Sequence, residues 1–201
     1  MFDKKSAIHV ALEDSDLWKE FSSVGTEMIV TKPGRRMYPP IRVNVKGLSQ
    51  MMRYTISLEI IPCNDFRYKY NGGSWSVAGP SEDANEKSRR YTHEDSPARG
   101  SHWMSKVISF HKLKITNNVN DQHGHLLLHS MHVYQPRLLI CPCDFSSTAI
   151  ERNEIETETE TTFTFPETKF MAVTAYQNDY VTRLKIMNNP FAKGVREKML
   201  I

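Results

Sequence analysis

Ile41-Arg42-Val43-Asn44-Val45-Lys46-Gly47-Leu48-Ser49-Gln50-Met51-Met52-Arg53-Tyr54-Thr55-Ile56-Ser57-Leu58-Glu59-Ile60 carries the period that decides the fold class. Ile41, Val43 and Val45 fall on one side of an extended chain, and Arg42, Asn44 and Lys46 on the other. Tyr54, Ile56, Leu58 and Ile60 repeat the alternation, with Gly47-Leu48-Ser49 in the turn between. A period of two in both segments predicts strands with one buried face.

The same signal recurs in both directions. Downstream, Phe66, Tyr68 and Tyr70 alternate up to Asn71-Gly72, a hairpin turn, with Trp75 and Val77 on the returning strand. Residues 78–100 are rich in Gly, Pro, Ser and charge and read as a surface excursion. Short apolar segments follow at 106–116, 126–131 and 134–141; Pro136 suits an edge or first strand position. From Glu154 to Phe165 the chain alternates strictly: Ile155, Thr157, Thr159, Thr161, Phe163 and Phe165 share one face, with an acidic face opposite. Residues 170–176 form the last expected strand. Upstream, residues 7–12 read as a strand. Asp14 or Ser15 then caps a helix carrying Leu17, Trp18, Phe21 and Val24 at helical spacing, and Gly25 ends it. Glu27 to Thr31 is a further strand, stopped by Pro33-Gly34. Many short strands and few helices predict an antiparallel β-sandwich or barrel.

The 201 residues suit about one domain. A formal charge of +3 says little, but its distribution is uneven. Lys32, Arg35, Arg36, Arg42, Lys46 and Arg53 fall between Thr31 and Tyr54 with no acid among them. Arg99, Lys106, Lys112 and Lys114 form a second acid-free block, whereas residues 144–167 are acidic. Such segregation predicts one face that attracts anions. Three cysteines make no disulfide framework and favour a reducing compartment. No apolar run follows the N-terminus, so neither signal peptide nor membrane span is expected.

Enzymatic readings find little support. His123, His125, His129 and His132 cluster without a recognised metal-ligand spacing, and Cys141-Pro142-Cys143 is not Cys-x-x-Cys. His93, Asp95 and Ser96 are triad residue types crowded too closely to take nucleophile, base and orienter positions together. No glycine motif for a phosphate occurs. The expectation is a chain without catalytic residues, metal or cofactor.

A binding reading uses more of the chain. Asn178 caps a helix with Asp179 in its first turn. Tyr180, Val181, Leu184 and Met187 share one arc, expected to dock on the core, and Thr182, Lys185 and Asn189 lie on a free arc. Asn189-Pro190 restarts the chain as a second cap with proline at the first helical position. Phe191, Lys193 and Arg196 follow, an aromatic between basic residues that fits insertion at a minor groove. As a core anchor, Phe191 would be equally well explained. Arg35 and Arg36 are placed to reach phosphates or a guanine edge, or form an ordinary solvated turn.

An ordered series of motifs adds a resemblance. Val24-Gly-Thr-Glu-Met-Ile-Val-Thr-Lys-Pro-Gly-Arg-Arg-Met-Tyr-Pro39 is similar to the opening signature of the T-box transcription factor family, in its Brachyury-like DNA-binding domain. His93-Glu-Asp-Ser-Pro-Ala98, Gly100-Ser-His-Trp-Met104, Leu113-Lys-Ile-Thr-Asn-Asn118, Tyr134-Gln-Pro-Arg137, Phe165-Pro-Glu-Thr168 and Ala172-Val-Thr-Ala-Tyr-Gln-Asn178 continue it in order. Leu184-Lys-Ile186 and Asn189-Pro-Phe-Ala-Lys-Gly194 close it.

The resemblance implies an immunoglobulin-like (p53/Rel-type) antiparallel β-sandwich with short C-terminal helices, one domain over 1–201 with its core at about 8–196. It further implies sequence-specific double-stranded DNA binding at a GGTGTGA-type element and regulation of RNA polymerase II transcription in the nucleus. Implied contacts are Arg35, Arg36, Thr182, Lys185, Pro190, Phe191, Lys193, Val195 and Arg196. Val195 stands where the family pattern carries a second aromatic, a loss of apolar area that implies weaker affinity or altered site preference. Homodimer pairing on palindromic sites, through the region matching Asp95-Ser-Pro97, and association with other transcription factors and co-regulators are further implied partners. The alternative is a β-sandwich protein-interaction module that has lost DNA binding.

Overall fold

The computed structural model describes residues 7–81, 90–143 and 160–192. Strand β1 (His9–Leu12) leads into helix α1 (Ser15–Val24) and strand β2 (Glu27–Ile29). Then come β3 (Arg35–Arg36), β4 (Arg42–Lys46), β5 (Arg53–Pro62) and the hairpin of β6 (Phe66–Asn71) with β7 (Ser74–Pro80). Short elements follow: β8 (Arg90–Thr92), β9 (Ala98–Arg99), α2 (Gly100–Met104), β10 (Ile108–Ser109), β11 (Lys114–Thr116) and β12 (Leu126–Leu127). The chain closes with β13 (Val133–Cys143), β14 (Thr161–Thr164), a 3-10 turn at Pro166–Thr168, β15 (Phe170–Val173), helix α3 (Asp179–Asn188) and a second 3-10 turn at Pro190–Ala192.

The expected mostly-β fold is present. The largest sheet runs β2-β15-β13-β5-β8, with β14 also on β13 and β9 also on β5. Two smaller sheets, β1-β4-β10 and β12-β11-β3, pack with it around one core. Ile56, Leu58 and Ile60 of β5 and Leu138 and Ile140 of β13 meet Val43, Val45, Ile108, Ile115 and Leu126 there, all buried. The alternation in the 41–60 stretch therefore points two consecutive strands into one core from different sheets. They do not pair with each other, because the Gly47 turn carries the chain across the core and Leu48 is buried on the way. Not every pairing is antiparallel: β2 runs parallel to β15, and β12 parallel to β11.

Pro136 lies on β13, in the middle of the largest sheet, and not at an edge. It faces Ile60 of β5. On its other side, β15 pairs only Val133 and Tyr134, and β14 begins at Arg137. Pro136 occupies the gap between those partners, where no N–H is called for. The Gln135 side chain fills the gap, donating to Phe165 O and Thr168 Oγ1, each at 2.9 Å.

Two elements cover the core. Helix α1 buries Trp18 and Phe21 completely and stops at Gly25, whose φ of 84° is easy for glycine. The short α2, which periodicity did not reveal, buries Trp103; its indole N–H donates to the carbonyls of Tyr54 and Ala98, both at 3.1 Å. The triad-type residues around it have structural partners. His93 packs edge-on against Trp103, Ser96 Oγ donates to Ile56 O, and Asp95 accepts from Lys106 and His102 at 2.8 Å. Those hydrogen bonds, Lys106 foremost, hold the Asp95 carboxyl down at about 2. The part of the acidic alternating segment at 154–159 and the centre of the surface excursion at 82–89 lie outside the described residues. Within β14 the expected faces hold, with Thr161 and Phe163 half-buried and Thr162 and Thr164 exposed.

Gly100 opens α2 against the turn at Leu48-Ser49. Alanine is the better helix former by about 1 kcal/mol, but a Cβ here would sit 2.1 Å from Ser49 O and 2.9 Å from Leu48 Cβ. Gly100→Ala should therefore destabilise the fold, by about 1–3 kcal/mol in urea denaturation. A stabilised variant would show that backbone approach is not the constraint.

Candidate nucleic-acid interface

The arginine pair is held from behind. Gly34, at φ 80°, closes the turn before β3, and its α-carbon lies so close to His125 that a Cβ would stand 2.7 Å from the ring. His125 is fixed in turn by Asp121, Nδ1 to Oδ1 at 2.8 Å. Thr116 Oγ1 lies 2.9 Å from Thr31 O and 3.1 Å from Lys32 O, which ties the preceding turn to β11. Strand β3 then pairs with β11, so Arg35 faces Ile115 and Arg36 faces Lys114 across the ladder. Both arginines are exposed. Lys112, also exposed, is close enough for Arg36 to repel it. Arg35 and Arg36 of one basic block thus meet Lys112 and Lys114 of the other; Lys112 is paired with Glu94 at 2.5 Å, whereas Arg36 and Lys114 are like charges directly opposed.

Helix α3 starts where the sequence placed it. Asn178 Oδ1 accepts from Tyr180 N at 2.9 Å, and its Nδ2 donates to Val24 O at 2.7 Å, clamping α3 to the end of α1. Below this cap lies Glu27, fully buried on β2. Its Oε2 accepts from Gln177 N at 2.8 Å, and its Oε1 from Trp75 Nε1 at 3.3 Å. The sequence reading missed Glu27, although an acid opening a short apolar strand is a visible anomaly. Burial of its carboxylate is tolerated because donors from two other elements converge on it.

The face that α3 buries differs from the expected one. Val181 and Lys185 point inward, Leu184 is half-buried, and Tyr180 and Met187 are each 67% exposed. Lys185 was expected on the free arc and is only 5% exposed. Its amine donates to Tyr38 O and contacts Met28 Sδ at 3.2 Å. It also sits 5.1 Å from the centroid of Phe21 and 5.8 Å from that of Tyr176. Helical spacing could not separate these arcs, because a lysine stem packs like an aliphatic chain. Burial drives its pKa down to about 7, with Arg35 adding to the depression and Glu27 opposing it.

Thr182 is half-buried and its hydroxyl turns back to Asn178 O. Asn189 repeats the capping arrangement, its Oδ1 accepting from Phe191 N at 3.0 Å. Pro190 is exposed, and Phe191 is 87% exposed, so the core-anchor alternative falls. Lys193, Val195 and Arg196 lie outside the described residues. Between β3 and α3 a cleft of about 30 Å3, room for roughly one water, runs from Arg35 and Arg36 past Tyr38 and Asn189 to Lys185. Two of the four clustered histidines have structural roles among the described residues. His125 bonds Asp121, and His132 places Nδ1 on Ser130 O and Nε2 on Ser81 Oγ, both at 2.9 Å.

The T-box family model matches residues 10–197, nearly the whole chain. The chain belongs to the T-box family. A T-box-containing protein TBX6L of Gallus gallus is 50% identical over 193 residues, covering 96% of this chain and 52% of that protein. T-box protein 2 of Caenorhabditis elegans is 48% identical over 188 residues, covering 94% and 43%. T-box transcription factor TBX6 of Homo sapiens is 50% identical over 196 residues, covering 94% and 42%. This T-box chain therefore spans about half the length of the curated relatives it matches.

Two predictions concern the support beneath the face. Glu27→Ala leaves the indole of Trp75 and the amide of Gln177 without their acceptor, and should cost about 2–4 kcal/mol. Hydrogen exchange at Gln177 should quicken with it; unchanged protection would remove Glu27 from the anchoring role. Lys185 gives a stability profile whose sign is fixed. The unfolded chain keeps this proton up to its ordinary 10.5 and the folded chain releases it near 7. The unfolded state therefore binds more protons in that window, and stability rises with pH, by about 2 kcal/mol between pH 7 and 9. Urea titrations should show that rise in the wild type and its loss in Lys185→Met.

Proposed function

We propose that residues 1–201 form a single sequence-specific double-stranded DNA-binding domain of a nuclear T-box transcription factor, with its core at about 8–196. The domain reads a GGTGTGA-type element in genes transcribed by RNA polymerase II and has no catalytic role. The observation that carries this reading is the opposition of Arg36 and Lys114 across β3 and β11, beside Arg35. Like charges directly opposed on adjacent strands destabilise a sheet. A phosphate between them turns that repulsion into attraction, so the face is arranged for a polyanion rather than for solvent.

Arg35 and Arg36 contact the guanine edge or the adjacent backbone. Pro190 and Phe191, exposed at the end of α3, enter the minor groove. Thr182 contributes to the backbone, as do Lys193 and Arg196 beyond the described residues, and Val195 narrows the apolar wedge. Lys185, expected among the backbone contacts, acts from beneath the surface instead. Pairing of two copies on palindromic sites and recruitment of co-regulators belong to the same reading. The names of the relatives, including a T-box transcription factor, support it.

A labelled duplex carrying the element, titrated at about 50 and 200 mM salt, tests the proposal. Affinity should fall by about 100-fold if four phosphates are contacted. Absence of binding at the lower salt would leave the interaction-module reading in its place. Arg35→Ala or Arg36→Ala should cost about 1–3 kcal/mol and flatten discrimination between sites if the residue reads a base. Equal losses on specific and random DNA would assign that arginine to phosphate.

A further inference from the structure

Lys185 is a buried amine whose contacts are a carbonyl oxygen, a thioether and two aromatic rings, none of them a counter-ion. It stands at the inner end of the cleft whose outer rim carries Arg35 and Arg36. The charged and titratable groups around it come from β2, β3, the segment after β3 and the loop before α3. Glu27 on β2 favours the charged amine, and Arg35 on β3 disfavours it. Arg36 and Tyr38 line the same cleft. The Tyr176 phenol, pushed above its ordinary value by burial, stays neutral at physiological pH. Helix α1 contributes only the Phe21 ring. The buried amine, without a counter-ion among its contacts, therefore lies under Arg35, whose field an arriving anion would offset.

We propose that DNA binding at the Arg35–Arg36 rim draws a proton from solvent onto Lys185, making this residue a proton-linked positioning group that ties α3 to the arginine segment through Tyr38 O. The proposal rests on the DNA-binding reading above. A phosphate at the rim neutralises the arginine field, so the ammonium form gains relative to the amine. The ammonium donates more strongly to Tyr38 O and interacts with the faces of Phe21 and Tyr176, which firms the seat of α3 as its exposed end meets the duplex. Because proton uptake and binding are linked, affinity must fall as pH rises through the window where the free protein has lost this proton. In the free protein burial, aided by Arg35 and opposed by Glu27, holds the Lys185 amine at about 7.

The test is fluorescence anisotropy with a GGTGTGA duplex at constant ionic strength, at pH 6.5 and 8.5, on the wild type and Lys185→Met. If binding raises the pKa by one unit, wild-type affinity should weaken about sixfold across that range. Lys185→Met should show less of the decline, the remainder belonging to surface histidines. A wild-type affinity independent of pH, or the same decline in the variant, overturns the inference while leaving DNA binding intact. Absence of binding at about 50 mM salt at either pH sinks the DNA-binding reading and this inference with it. Should Lys185→Met not fold, calorimetric titration of the wild type at pH 8 in phosphate and in Tris decides. About 0.4 proton should be taken up per complex, and none taken up overturns the proposal.

Discussion

A carboxylate can be removed from water only where donors replace the lost hydration, and Glu27 meets that requirement with groups from distant parts of the chain. It is fully buried on β2, yet receives the indole N–H of Trp75 and the backbone N–H of Gln177. One side chain thus joins the β6–β7 hairpin and the start of α3 to the edge of the largest sheet. The parallel pairing of β2 with β15 brings these pieces within reach, since β15 leads directly towards α3. Removal of this acceptor would leave polar groups buried without partners as well as a missing contact.

From that anchor the arrangement of the cationic face follows. Asn178 caps α3 and at the same time bonds the last carbonyl of α1, so the axis of α3 is set by the helix that already fills the core with Trp18 and Phe21. With the axis set, Lys185 falls over Phe21 and beneath Tyr38, and Tyr180, Met187 and Phe191 are left outside. The arginine segment is fixed independently, by Thr116 and His125 from the opposite side. Two independent supports, one under α3 and one under β3, thus order both segments within the protein itself.

The cost of this face is visible in its chemistry. Arg36 opposes Lys114, Arg35 depresses the amine of Lys185, and an aromatic ring stands almost wholly in water. None of these helps the free protein fold. They are tolerated because the core beneath is continuous.

Local features were legible in the sequence where local physics decides them. The period of two in β4 and β5, the Asn71-Gly72 hairpin, the stop at Gly25 and the caps at Asn178 and Asn189 depend on neighbours within a few residues. The ordered motifs from Val24 to Gly194 carried the family. Tertiary structure decided what depends on residues far apart in the chain. Strands β4 and β5 alternate alike, but only the crossing at Leu48 put them in different sheets. Pro136 read as suited to an edge or first strand position, and only the change of neighbour from β15 to β14 made a central position possible. The inward face of α3 could not be read from spacing, since Val181 with Lys185 and Tyr180 with Met187 are both acceptable helical stripes. Glu27 and Asn178, bonded to partners far away in sequence, chose between them, because hydrogen bonds to a buried carboxylate are directional and apolar periodicity is not.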